Sequence, residues 1–168
     1  MLDRAPFWLV QPRQLSGDGI TVTLLDPVPQ LRISGDLAAA CAALDLPPPV
    51  GLMAPADGPR AAIRLARNRM LAVGVTLPHA DSGLRDGYAL TPATGSLAVL
   101  HLDGPGAGEL LARGTAVDLT QASPSAALLF AGMNAVLYRH GTGMRLHLDR
   151  GLVDYAFDWI EASGALRA

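Results

Sequence analysis

"YRHGTGMRLHLDRGLVDYAFDWI", residues Tyr138 to Ile160, decides how this chain is read. Two alternating runs flank Gly141-Thr142-Gly143, and a run with apolar residues at spacings of three and four follows. The first part predicts a β-hairpin, the second an amphipathic helix. With Gly141-Thr142-Gly143 as a three-residue loop, His140 faces Met144, Arg139 faces Arg145, Tyr138 faces Leu146 and Val136 faces Leu148. Val136, Tyr138, Leu146 and Leu148 then make a core face. The other face carries Leu137, Arg139, Arg145, His147 and Asp149. Two arginines directly opposite each other repel mildly. Either both point into water, or a partner's carboxylate or an anion sits between them.

The helix is predicted from Gly151 to Ser163, with Gly164 as its cap. Leu152, Tyr155, Ala156, Trp159 and Ile160 line one face, and Val153 and Phe157 extend the apolar arc sideways. Only Asp154, Asp158 and Glu161 form a polar stripe. A helix lying on one sheet needs an apolar arc of little more than about 100°. This arc is wider, so cover is expected on two sides: the helix's own sheet, and either the N-terminal arm or another chain. The arm, Met1 to Gly19, carries a greasy patch with Phe7 and Trp8 between Pro6 and Pro12. The candidate partner interface is therefore Phe7, Trp8, Arg139, Arg145, His147, Val153 and Phe157.

Working outward, "SLAVLHLDG" (Ser96 to Gly104) reads as a strand and "PGAGELLARG" as a short helix with Pro105 in its first turn and Gly114 as its stop. "SAALLFAG" and "NAVLYRH" are further strands. Upstream, "ITVTLL" and "QLRI" alternate as strands. "SGDLAAACAALDL" is a helix with Leu37, Ala40, Cys41 and Leu44 on one face, stopped by "LPPPV". "AAIRLA" and "MLAVGV" pair across "RNR". Strand–helix–strand–strand thus appears twice, over Gln30 to Val75 and Ser96 to His140. The fold class is α+β: two similar halves, about 20–78 and 88–168, joined at a polar hinge (His79 to Gly87) in one compact domain over 20–168 after the arm 1–19.

Composition narrows the chemistry. A chain of 168 residues suits one domain. Half of it is apolar and 17% is charged. That is either more apolar surface than one small core needs, and so partner-facing, or simply an alanine-rich composition. The net charge of −2 supplies no basic field for nucleic acid. All thirteen basic residues are arginine, which removes Schiff-base lysines and the Walker A phosphate loop. The single Cys41 fits a reducing compartment and a small core role. No apolar run reaches membrane-spanning length, so a cytoplasmic protein is expected. In "LHLDGPGAGELL" the dinucleotide fingerprint needs a third glycine where Glu109 stands, and no acid follows to hold a ribose. The four histidines lack helical ligand spacing, and no G-x-S-x-G elbow is present. No catalytic, metal or cofactor-binding residue emerges.

"HLDGPGAGELLARGTAVDL" (His101 to Leu119) and "AGMNAVLYRHGTGMRLHLDRGLVDYAFDWI" (Ala131 to Ile160) resemble the gamma subunit of heterotetrameric sarcosine oxidase. The likeness lies in Gly104-Pro105, Leu110-Leu111, Arg113-Gly114, Asp118-Leu119 and Asp158-Trp159-Ile160. It implies a two-half α+β fold like the folate-binding domain of the glycine cleavage T-protein. It also implies a non-catalytic structural subunit of a complex that oxidatively demethylates sarcosine to glycine and passes the one-carbon unit to formaldehyde or tetrahydrofolate. The implied partners are alpha, beta and delta chains of a heterotetramer, with FAD, FMN, NAD and tetrahydrofolate on those chains and none on this one. T-protein relatives carry acidic residues near the start of the hairpin strand, where Gly132-Met133-Asn134 stands here. The alternative is a free-standing folate-binding protein of the aminomethyltransferase kind.

Overall fold

The structure, a computed structural model, describes residues 12–17, 19–77 and 81–167. Phe7 and Trp8 lie outside them. Eleven strands form two antiparallel sheets among the described residues. The first half supplies β1 (Gln14–Gly17), β2 (Ile20–Leu24), β3 (Gln30–Gly35), α1 (Leu37–Leu44), β4 (Ala61–Ala66) and β5 (Arg69–Val73). The second supplies β6 (Gly83–Leu84), β7 (Tyr88–Pro92), β8 (Leu97–Asp103), α2 (Ala107–Gly114), β9 (Ala127–Phe130), β10 (Met133–His140), β11 (Gly143–Asp149) and α3 (Val153–Ala162). The six-stranded sheet runs β1-β2-β8-β11-β10-β9, and the five-stranded sheet β4-β5-β3-β7-β6.

Each half gives a hairpin to the other. β1–β2 precedes β3 in the chain but extends the sheet beside β8; β6–β7 precedes β8 but pairs with β3. The halves are therefore interlocked, and Gln14–Gly17, within the expected arm, is a paired strand. Four layers result. α2 and α3 cover the outer face of the six-stranded sheet, where Leu110, Leu111, Phe157 and Ile160 meet Val22, Leu100, Leu137, Leu146 and Leu148. Between the sheets, Ile63, Leu71 and Val73 meet Leu97 and Tyr138. α1 covers the far face, packing Leu37, Ala40 and Cys41 on Leu31, Ile33 and Met70. Asp36 starts α1 by accepting from the Ala38 and Ala39 N–H groups at 3.0 Å.

The hairpin register is one residue away from the expected one. His140 faces Gly143, Arg139 faces Met144, Tyr138 faces Arg145, Leu137 faces Leu146 and Val136 faces His147. The loop is Gly141-Thr142 alone, with Gly141 at φ +60°, as a two-residue turn with glycine first requires. Gly143 pairs with His140 as the first residue of the strand, and a Cβ there would run into the Leu102 carbonyl oxygen, so the position takes glycine. A slip of one residue turns the face assignments over. Leu137 becomes core, Tyr138 turns toward the other sheet, and Arg139 no longer sits across from Arg145.

The final helix is also rotated. A 3-10 turn (Arg150–Leu152) precedes α3, and the buried stripe is Val153, Ala156, Phe157 and Ile160. Leu152 and Tyr155 are exposed instead. Trp159 is half-buried, edge-on to Phe130 with ring centroids 5.1 Å apart. The second cover comes from within the chain: the Arg13 guanidinium lies 4.4 Å from the Phe157 ring centroid and pairs with Asp154 at 3.0 Å and Asp158 at 3.4 Å.

Candidate functional site

β3 alternates cleanly. Leu31 and Ile33 point to α1, so Gln30, Arg32 and Ser34 point toward the six-stranded sheet. A strand between a helix layer and a second sheet would ordinarily be apolar on both faces. The polar inner face of β3 therefore marks the place where the two sheets do something besides pack.

At its inner end Gln30 is fully buried. Its side-chain Nε2 donates to the Leu97 carbonyl at 3.3 Å, and its backbone N–H donates to Thr94 Oγ1 at 2.9 Å. That leaves Gln30 Oε1 facing His147 Nδ1 at 2.6 Å. An amide oxygen only accepts, so Nδ1 carries the proton, and His147 Nε2 accepts from the Tyr138 hydroxyl at 3.0 Å. Burial pushes His147 down to about 3, and the nearby Arg145 charge adds to the effect. The imidazole is thus neutral with both nitrogens engaged, an arrangement that fixes geometry rather than moves protons. Burial raises the Tyr138 hydroxyl, while the hydrogen bonding and charge of Arg145 pull it part of the way back. Arg145 faces Tyr138 across the ladder, and its Nε is buried without a hydrogen-bond partner among the described residues. Beyond it, His101 is lowered by burial, opposed by Asp103 and assisted by Arg145 and His140.

Outward from Gln30 the sheets part. A cavity of about 530 Å³ opens between them, lined by Arg32, Ser34, Arg69, Thr91, Asn134 and, at the inner end, His147. Apolar walls come from Leu65, Leu71, Leu97 and Val136. Close by, the sheets are held together at one edge, where the Ala126 N–H donates to the Arg64 carbonyl at 2.8 Å and the Ser125 hydroxyl to the Leu65 carbonyl at 2.7 Å.

Of the seven residues singled out from sequence, two lie outside the described residues and five are placed. His147, Val153 and Phe157 are buried in this chain's own core, so their side chains do not form a free surface. Arg139 is exposed on the helix-side face of its strand. Arg145 is half-buried on the opposite face beside Tyr138. Gln30, Arg32 and Arg69 were not anticipated. The run Q-x-R-x-S in a strand next to a helix was the available signal for the first two.

The remaining motifs are structural. Cys41 is buried, 3.8 Å from Met70 Sδ, and burial raises its thiol against the opposing pull of Arg64. At the start of α2 the Gly106 N–H donates to the Gly19 carbonyl at 2.9 Å, and Glu109 pairs with Arg113 at 2.6 Å. Among the described residues no group of three or more histidine, cysteine or acidic side chains is placed to hold a metal. Nor is any helix long and apolar enough to cross a membrane.

These features define an α+β protein of two interlocked antiparallel sheets with helices on the outer faces. No protein-family model matches the sequence, and no curated protein matches it. Among solved structures the fold matches a chain of the heterotetrameric sarcosine oxidase from Corynebacterium sp. U-96, determined in complex with pyrrole 2-carboxylate. The match has a TM-score of 0.73 and 20% identity, and covers 92% of this chain and 89% of that one. This chain therefore has the fold of a component of that oxidase, nearly end to end.

Proposed function

We propose that this chain is a non-catalytic structural subunit of a sarcosine oxidase-like complex, which demethylates sarcosine to glycine and passes the one-carbon unit to formaldehyde or tetrahydrofolate. The observation that carries this reading is the fold match over almost the whole of both chains. The buried centre agrees with it: His147 is neutral and engaged at both nitrogens, so it supplies neither a base nor a nucleophile. FAD, FMN, NAD and tetrahydrofolate then belong to the partner chains, the counterparts of alpha, beta and delta subunits. Surfaces that suit such partners are the exposed apolar side chains Leu84 on β6, Leu129 on edge strand β9 and Tyr155 on α3, together with the exposed Arg139.

The test is the purified chain alone. It is expected to be colourless after gel filtration and to produce no hydrogen peroxide from sarcosine. A flavin spectrum that stays with the isolated chain, or turnover by it, would overturn the reading.

A further inference from the structure

We propose that the cleft between the two sheets binds a small organic carboxylate. Its apolar body enters toward Leu97 and Val136, and its carboxylate is held at the mouth by Arg32 and Arg69. The proposal does not depend on the function argued above.

The charge pattern is the first ground. Arg32 faces Leu71 in the β3–β5 ladder and Ser34 faces Arg69, so the two arginines are diagonal neighbours on one sheet face. Diagonal cross-strand positions are about 7–8 Å apart, within reach of one another for long side chains. Both arginines are exposed, and neither belongs to an ion pair among the described residues, where the pairs are Arg13 with Asp154 and Asp158, and Arg113 with Glu109. Among the described residues no aspartate or glutamate lines the cleft. Two like charges set side by side, in a protein of net charge −2, leave a local excess that a bound anion relieves. Planar guanidinium groups match the two oxygens of a carboxylate.

Shape and donors are the second ground. The volume of about 530 Å³ is that of a small-molecule site. His147 and Leu97 line the cleft and are themselves buried, so its deep part suits the apolar end of a small molecule. His147 is neutral with both ring nitrogens committed, so it offers the cleft neither a charge nor a free donor of its own. The free polar groups sit at the mouth: Ser34, Thr91 and Asn134 make no side-chain hydrogen bonds among the described residues. The cleft is thus apolar within and cationic at its rim, which is the polarity of an organic acid entering tail first.

The experiment titrates the full chain with 1-naphthoate by calorimetry and by amide NMR, with 1-naphthalenemethanol as the neutral control. Saturable one-to-one binding with a dissociation constant of about 1 mM or tighter is expected. The control should bind at least about tenfold more weakly, as expected when charge-assisted bonds are lost. The amides of Ser34, Arg69 and Asn134 should shift. The Arg32→Gln/Arg69→Gln double variant should lose at least about tenfold in affinity at an unchanged unfolding temperature. Asn134→Trp, which fills the cleft from the opposite wall, should remove binding with both arginines intact. Absence of saturation, equal affinity for the alcohol, or full affinity in the double variant would each overturn the proposal. So would a cleft that ignores the probe yet gains amide protection at Ser34 and Arg69 only on assembly with partner chains, since the occupant would then be a partner segment.

Discussion

Toward α2 and α3 the six-stranded sheet shows Val22, Leu100, Leu137, Leu146 and Leu148; toward the five-stranded sheet it shows Tyr138, Arg145 and His147. The same strands supply both faces, yet the rules differ. The outer face is held by apolar burial, which tolerates repacking and responds little to pH. The inner face adds to the apolar contacts of Leu97 and Tyr138 with Ile63, Leu71 and Val73 a set of directed hydrogen bonds, Leu97–Gln30–His147–Tyr138, at one end, and is open at the other. The difference teaches where to look for function in such a fold. The helix-covered face supplies stability, and the half-filled face between the sheets carries, at its open end, the polar groups that a ligand can reach.

The sharpest break of this comparison is on the apolar side. Phe157→Ala removes a fully buried ring from the outer face and should cost about 3–5 kcal/mol in denaturant unfolding. A loss below about 1 kcal/mol would mean that α3 is not what closes that face.

Next comes the inner face. His147→Leu keeps the space filled but leaves Gln30 Oε1 and the Tyr138 hydroxyl without their partner, for a cost of about 2–4 kcal/mol. The pH dependence should change with it. His147 titrates near 3 when folded and near 6.5 when unfolded, so below pH 6.5 only the unfolded chain takes up this proton. Stability is therefore lost as pH falls through that window, by about 1.4 kcal/mol per unit and about 2 kcal/mol by pH 5. His101, also lowered, acts with the same sign. The difference between wild type and His147→Leu isolates the His147 share. Parallel stability–pH curves for the two proteins would mean that the imidazole is not held neutral.

The smallest effects contrast two glycines of α2. A Cβ at Gly114 would enter the Phe130 ring, so Gly114→Ala should destabilise by about 1–3 kcal/mol. Gly108 faces open space, so Gly108→Ala should stabilise by about 0.5 kcal/mol through helix propensity alone. Thermal unfolding of both variants checks the signs.

Most elements were legible because their periodicities are strong. The alternation of "ITVTLL" and "QLRI", the alanine-rich α1 capped by Asp36, and the apolar run of β8 need no tertiary knowledge. β6 and β7 were not legible: one has two residues inside the polar, turn-rich stretch His79 to Gly87, and the other, "YALTP", is short and ends in proline. β1 was hidden in an arm because its four residues gain their order by pairing with β2. The hairpin register failed on a single glycine, since a G-T-G triplet fits a two- or a three-residue loop equally well until the approach of Leu102 to Gly143 is known. For the site, His147 was noticed but assigned to the surface. Its partner Gln30 is 117 residues away, a pairing that no local pattern announces.

Affinity purification of the tagged chain from its native host most directly tests whether it works as a subunit. The account predicts that it elutes with flavin-bearing chains, and that the eluate, unlike the chain alone, oxidises sarcosine and forms hydrogen peroxide. Elution as a lone, flavin-free chain that binds tetrahydrofolate by itself would contradict the account and favour the free-standing folate-binding alternative.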